Sequence, residues 1–130
     1  MENQKFKVKI IGVIFDPKKR KILIGKNHGD ENYTFLDGTL SPEEELDKEL
    51  KRITKEKTGF IIHNLGSIYA ENHLNNKEEL RLYFLCEATE GKEKLGKNVK
   101  EIVWIKPSEA EKKLETKFPT RLKEFILSLG

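Results

Sequence analysis

The most informative segment of the chain reads Gly38-Thr-Leu-Ser-Pro-Glu-Glu-Glu-Leu-Asp-Lys-Glu-Leu-Lys-Arg-Ile-Thr-Lys-Glu-Lys-Thr-Gly-Phe60. Its Ser41-Pro-Glu-Glu44 portion predicts a helix start, because serine is a good N-cap, proline fits the first helical position and the later glutamate completes a capping box. Three apolar residues at helical spacing then predict a buried stripe: Leu46, Leu50 and Ile53. Gly59 predicts the helix end, since glycine readily adopts the left-handed conformation beyond the last turn.

The segments around this helix are mostly strand-like. Strands are expected at Lys7–Phe15, Lys21–Lys26, Tyr33–Leu36, Phe60–Ile62, Gly66–Ala70, Glu79–Ala88 and Val99–Ile105, the first two joined by a turn at 16–20. Polar connections are expected at 71–78 and 89–98, and helices at 107–114 and 119–129. This order predicts an α/β (α+β) fold in which a mixed β-sheet is sandwiched between helices, as a single domain over residues 1–130.

Composition excludes several classes of protein. The chain has 25 Lys and Arg against 22 Asp and Glu, and the two signs are interspersed. No basic stripe forms, so nucleic acid is not an expected partner. The single cysteine, Cys86, lies in an apolar run and is interpreted as a buried residue of a reduced protein. No segment resembles a membrane span or a secretory signal, so a cytoplasmic location is expected.

The segment from Gly38 to Phe60 resembles the Nudix box, the signature of the Nudix family. That pattern reads Gly, five residues, Glu, seven residues, then Arg-Glu-apolar-x-Glu-Glu-x-Gly-apolar. Six positions of this chain agree with it: Gly38, Glu44, Arg52, Glu56, Gly59 and Phe60. Ile53 and Lys57 instead stand where the family carries metal-binding glutamates. The order of strands and helices resembles the family layout over essentially the whole chain.

The resemblance implies a diphosphate chemistry. Family members cleave a diphosphate linked to another moiety, by attack of water on phosphorus with a divalent metal, usually Mg²⁺, with Mn²⁺ as a substitute. A hard cation of this kind prefers carboxylate oxygens, which the helix must supply. The implied site here comprises Glu56 as a catalytic residue and metal ligand, the Gly38 carbonyl as a second ligand, and Arg52 with Glu44 orienting the loop and helix through charge.

In one interpretation, other carboxylates bind the metal in place of the glutamates that are missing at positions 53 and 57. Glu49 lies one turn before Ile53 and shares a helix face with Glu45 and Glu56, so it is either a metal ligand or part of a solvated face. Glu101 is either a late metal ligand or base, or a surface strand residue. Sliding the alignment by one turn would match Lys48-Glu49-Leu50 to Arg-Glu-apolar, but the unshifted alignment keeps six matches and is preferred.

Three further side chains are candidate ligand contacts. The ammonium of Lys57 either contacts phosphate in place of a metal or complements the negative end of the helix dipole. Tyr33 and Phe35 either stack on a base or line the core and cleft. Ile53 is expected to extend the apolar stripe.

Two functions are therefore in competition. In the first, a Nudix-like protein has lost most metal-dependent hydrolysis and retains a cleft for a nucleotide or another diphosphate. In the second, a divergent Nudix hydrolase remains active with Mg²⁺ or Mn²⁺. Both imply a small-molecule partner and no membrane partner, and the resemblance makes a homodimer a further expectation.

Overall fold

A computed structural model describes residues 7–73 and 78–130, with the exception of the His73 side chain. The strands are β1 (Lys7–Asp16), β2 (Lys21–Asn27), β3 (Leu36–Leu40), β4 (Phe60–His73), β5 (Glu79–Gly91) and β6 (Val99–Ile105). The helices are α1 (Leu46–Thr58), a 3₁₀ turn (Pro107–Glu109), α2 (Ala110–Leu114) and α3 (Thr120–Ser128). No helix within these residues has the length and apolar character needed to cross a bilayer.

Strand β1 is the centre of the sheet. It pairs in parallel with β5, from Lys7 beside Glu79 to Phe15 beside Glu87, and antiparallel with β2 and β3. The strand order is β4-β5-β1-β2-β6, with β3 paired to β1. Residues 10–15 are all buried, as expected of a strand covered on both faces. The predicted mixed sheet is therefore confirmed.

The two faces of the sheet carry separate cores. On one face, Leu50 and Ile53 of α1 pack in a cluster with Ile10 and Ile14 of β1. On the other face, the C-terminal helices pack against the alternate residues of β1, which include Ile11. Alternation along β1 thus puts helices on both sides, which is the predicted sandwich.

The predicted helix start is wrong. Ser41 and Glu44 close a turn, in which the Ser41 N–H donates to the Glu44 carboxylate at 2.9 Å and the Glu44 N–H donates to the Ser41 carbonyl at 3.1 Å. Helix α1 begins only at Leu46, the first residue of the apolar stripe. The hydrogen bonds expected of a helix cap between Ser41 and Glu44 close a turn instead. The helix begins where burial of the apolar residues begins.

Several strand bounds also differ from the predictions. Strand β3 covers Leu36–Leu40, so Asp37 and Gly38 lie within it, and the predicted strand at 33–36 is reduced to one bridge between Thr34 and Gly25. Strand β4 runs without a break to His73, and β5 continues to Gly91. Pairing between β4 and β5 satisfies the backbone of polar residues that lack a strand-like pattern. The rest of the connection predicted at 71–78 includes residues 74–77, outside the described residues.

Cys86 is fully buried, as predicted. Its burial raises the pKa of the thiol to about 12, so almost no thiolate forms near neutral pH. The residue is therefore a core residue and not a reactive nucleophile.

Candidate functional site

A pocket of about 230 Å³ lies between strand β3 and helix α1. The helix contributes side chains from three consecutive turns because residues three and four apart share one face. Its lining combines Asp37 and Thr39 with residues that the sequence singled out: Gly38, Glu49, Arg52, Ile53, Glu56 and Lys57. We call it the helix pocket.

Close contact between Ile53 and Gly38 joins the two walls of the helix pocket. Ile53 is 7% exposed and belongs to the α1-side core, as predicted. A Cβ atom placed on Gly38 would lie 2.2 Å from Ile53 Cδ1, so any other residue there would require the Ile53 side chain to move. The residue that replaces a family carboxylate thus packs the helix against the strand.

Arg52 binds both remaining glutamates of the helix face. Its Nε donates to Glu49 Oε1 at 2.8 Å, its Nη1 donates to Glu56 Oε2 at 2.8 Å, and its Nη2 contacts Glu49 Oε2. The hydrogen bonds from Arg52 lower the pKa of the buried Glu49 carboxyl against the opposing effect of burial. The charge pairs of Arg52 are thus within α1, while Glu44 closes the preceding turn and Glu45 lies 3.7 Å from Lys48.

Lys57 lies against the backbone of β3. Its Nζ donates to the Asp37 carbonyl oxygen at 2.9 Å and is 4.0 Å from Asp37 Oδ1. From the other face of the sheet, Lys9 Nζ lies 3.6 Å from Asp37 Oδ2. Asp37 is therefore held between two ammonium groups.

Glu101 lies outside the helix pocket. Its carboxylate accepts a hydrogen bond of 2.5 Å from the Tyr33 hydroxyl, which raises the pKa of Tyr33 together with burial and the Glu101 charge. The ammonium of Lys26 sits 4.5 Å from the centre of the Tyr33 ring. The structure therefore joins Glu101 to Tyr33 and not to Glu49 and Glu56.

A larger cleft of about 730 Å³ adjoins the helix pocket, and Asp37 lines both. Tyr33 and Phe35 line this cleft, but Phe35 is buried and stacks on Phe118, with ring centres 5.8 Å apart. The cationic lining residues are Lys9, Arg81 and Lys117, and the anionic ones are Asp37, Glu71 and Glu115.

Sequence reasoning missed Lys9 and Arg81. They stand side by side in the parallel pairing of β1 with β5 and are half-buried. A signal was present, because each is a charged residue inside a strongly apolar strand. The pairing that brings the two together joins distant parts of the chain, which no local pattern indicates.

The oxygen donors of the helix pocket do not fit a divalent metal as they stand. The Glu49 and Glu56 carboxylates bind Arg52, and the Asp37 carbonyl binds Lys57. Among residues 7–73 and 78–130, no three acidic, histidine or cysteine side chains are grouped closely enough to hold a metal ion. A metal site of Gly38, Glu49, Glu56 and Glu101 remains a prediction.

The ion pair of Glu49 with Arg52 predicts a pH-dependent contribution to stability. The folded-state pKa of Glu49 lies below its ordinary value of 4.5, so the contribution is complete above that pH and is lost as pH falls through the folded-state value. Arg52→Met is expected to lower the free energy of unfolding at neutral pH and to lower it less at about pH 3. Urea unfolding of both proteins across this range measures the difference.

Lys51→Met is the matched control for this measurement. It breaks an ion pair one residue away on the same helix, but that pair with Asp47 is about half exposed on both sides. Exposed pairs contribute little, so the control should differ only slightly from the wild type at both pH values. A difference for Arg52→Met that is constant with pH would contradict the assigned pair.

Comparisons with known proteins agree with the fold. The family model described as NUDIX domain matches residues 5–129. A Nudix hydrolase from Nitrosomonas europaea superposes with a TM-score of 0.71 at 19% identity, over 96% of this chain and 88% of that chain. A MutT protein from Methanosarcina mazei Go1 superposes with a TM-score of 0.73 at 15% identity, over 99% of this chain and 96% of that chain. An ADP-ribose pyrophosphatase from Streptococcus suis 89-1591 superposes with a TM-score of 0.70 at 15% identity, over 95% of this chain and 87% of that chain.

A search of curated proteins found no significant match. The structural similarities are at low identity, so they establish the fold and carry no substrate. The family model, by contrast, covers nearly the whole chain. With the helix, the sheet and the helix pocket in the arrangement described above, the chain belongs to the Nudix family.

Proposed function

We propose that this protein binds a nucleotide or another diphosphate compound in the 730 Å³ cleft and has lost most or all metal-dependent hydrolysis. The observation that carries the binding is the side-by-side placement of Lys9 and Arg81 in the cleft wall. Like charges on neighbouring strands cost stability unless something compensates for them. Asp37 and Glu79 supply part of that compensation, and a bound phosphate group would supply more.

Both cations lie near carboxylates, and Arg81 also has Glu71 as its cross-strand neighbour. Lys9 lies 3.6 Å from Asp37, and Arg81 Nε lies 2.5 Å from Glu79. Burial is the largest single effect on Arg81 and lowers its pKa, but the combined effects of Glu79 and Tyr83 raise that pKa by more, so the guanidinium stays charged. Both positive charges line the cleft, where a phosphate group can bind them alongside their carboxylate partners.

The rest of the cleft suits the uncharged part of such a ligand. Aromatic rings of Tyr33, Tyr83 and Phe118 line it together with Leu114. The volume lies within the range typical of small-molecule sites. Aromatic rings beside Lys9 and Arg81 match the base and the phosphate groups of a nucleotide.

The helix pocket supports the loss of hydrolysis. A diphosphate gains negative charge in the transition state, and metal-dependent catalysis needs carboxylates free to hold the metal. Here the helix pocket has two glutamates, Glu49 and Glu56, and Arg52 binds both. Lys57 adds a positive charge. The cleft can therefore keep its affinity while the chemistry is weakened.

Calorimetric titration with ATP, ADP, ADP-ribose, a nucleotide sugar and a diadenosine polyphosphate tests the binding. Arg81→Met is expected to weaken binding of whichever compound binds by about tenfold or more, the effect of losing one charge-assisted hydrogen bond. Lys19→Met, in the exposed turn between β1 and β2, is the control and should bind as the wild type does. Binding by none of these compounds, or equal affinity of Arg81→Met, would contradict the proposal.

The same compounds incubated with Mg²⁺ or Mn²⁺ test the alternative of a divergent hydrolase. We expect no turnover, or turnover that Glu56→Gln leaves unchanged because it comes from a contaminant. Metal-dependent turnover that Glu56→Gln abolishes would establish the active hydrolase and overturn the loss of hydrolysis.

A further inference from the structure

The helix pocket contains its own cations. Three carboxylates border it, those of Asp37, Glu49 and Glu56, together with the Asp37 carbonyl. These are the oxygen donors that a hard divalent cation prefers. Arg52 and Lys57 instead contact them, so the pocket is largely neutralised by side chains of the chain itself.

We propose that Lys57 is a tethered substitute for a divalent cation, so that the protein holds the helix pocket together and binds its phosphate-bearing ligand without metal. The statement about the ligand rests on the proposed function. The statement about the pocket does not, because it concerns the free protein.

The position of Lys57 is set by the backbone of α1 and not by its ion pair alone. Gly59 caps the helix in the left-handed conformation, with its N–H donating to the Lys55 carbonyl at 2.9 Å. In the loop between β5 and β6, the Lys94 N–H donates to the Thr58 carbonyl at 2.8 Å and the Gly96 N–H donates to the Lys57 carbonyl at 3.1 Å. The last turn is thus fixed by contacts other than that of the ammonium, so the backbone of Lys57 stays beside β3 even when this contact is removed.

A divalent cation entering this pocket would meet Lys57 and Arg52 at close range. Near a protein surface, the effective dielectric constant is low enough that two like charges a few ångströms apart repel each other by about several kcal/mol. The metal would also have to break the hydrogen bonds of Arg52 to Glu49 and Glu56. Metal binding by the wild-type protein is therefore disfavoured by Arg52 at the two glutamates and by Lys57 at the Asp37 carbonyl.

The test reverses the charge at this position. In Lys57→Glu the pocket gains a fourth carboxylate, and the Asp37 carbonyl loses its ammonium partner. We expect the melting temperature of this variant to fall in EDTA and to recover by several degrees in Mn²⁺ or Mg²⁺, with metal binding at least tenfold tighter than in the wild type. The wild-type melting temperature should be the same in EDTA and in metal.

Two further variants make the result decisive. Lys55→Glu introduces the same charge on an exposed position of the same helix turn and should gain no metal-dependent stability. Lys57→Gln removes the cation without adding a carboxylate, so it covers the case in which Lys57→Glu fails to fold. It should melt lower than the wild type in EDTA and recover part of the loss in metal.

The outcomes separate the two proposals. Metal stabilisation of the wild type, or its absence from both Lys57 variants, would overturn the tethered-cation assignment whether or not a ligand is found. For a compound that does bind, equal affinity in EDTA and in Mg²⁺ is expected. A requirement for Mg²⁺ in ligand binding would overturn the inference while leaving the cleft itself supported.

Discussion

Gly96→Ala is expected to destabilise the protein by about 3 kcal/mol, the upper part of the range for forcing extra atoms into a packed site. A Cβ atom on Gly96 would lie 2.0 Å from the carbonyl oxygen of Glu56. The obstacle is the backbone of α1, which cannot rotate aside as a side chain can. The loop that contains Gly96, between β5 and β6, would have to move away from α1. This movement would break the hydrogen bond from the Gly96 N–H to the Lys57 carbonyl.

Gly29→Ala is the control, because it separates steric overlap from backbone strain. Gly29 has a φ of +91°, but a Cβ atom added to it would meet no other atom within 4 Å, so its substitution should cost about 1 kcal/mol. Urea unfolding of the three proteins gives the free energies of unfolding. A smaller loss for Gly96→Ala than for Gly29→Ala would show that the loop does not lie against the helix as described.

Gly38→Ala is expected to cost about 2 kcal/mol through overlap with Ile53. The overlap is with Cδ1, 2.2 Å from the added methyl group, and Ile53 is buried among core residues that limit its movement. Ile53→Val removes that atom and alone should cost about 1 kcal/mol. The double variant should therefore be more stable than the two separate losses predict.

A double-mutant cycle measures this coupling, with an expected value of about 1 kcal/mol. Gly12→Ala is the control, since a Cβ there would meet Leu50 Cδ1 at 3.5 Å, an ordinary contact. Strict additivity of Gly38→Ala and Ile53→Val would mean that the helix pocket is not closed by direct contact between these two residues.

Local sequence patterns predicted the elements of the fold well and their bounds less well. The apolar stripe of α1, its end at Gly59 and the buried strand β1 depend on neighbours in sequence, so the pattern contains them. The capping signature at Ser41–Glu44 misled because its hydrogen bonds close a turn as readily as they start a helix. The polar end of β4 was missed because its partner strand, and not its own composition, stabilises it.

The candidate site divides in the same way. Helical periodicity brought Glu49, Arg52, Glu56 and Lys57 to one pocket, as the sequence indicated. Which group each of them contacts depends on three-dimensional packing, so the contact of Lys57 with the Asp37 carbonyl could not be foreseen. Glu101 was placed in the candidate metal set, but the structure pairs it with Tyr33 on another part of the sheet.

The parallel pairing of β1 with β5 also constrains how the chain is made. During synthesis the ribosome releases β1 long before residues 79–87, its partners on one side, exist. Until they emerge, the apolar run at residues 10–15 has only the strands β2 and β3 beside it. Pairing between distant segments is slow, and an exposed apolar strand edge can join other chains. The nascent protein therefore passes through a period in which chaperones would have an accessible strand to hold.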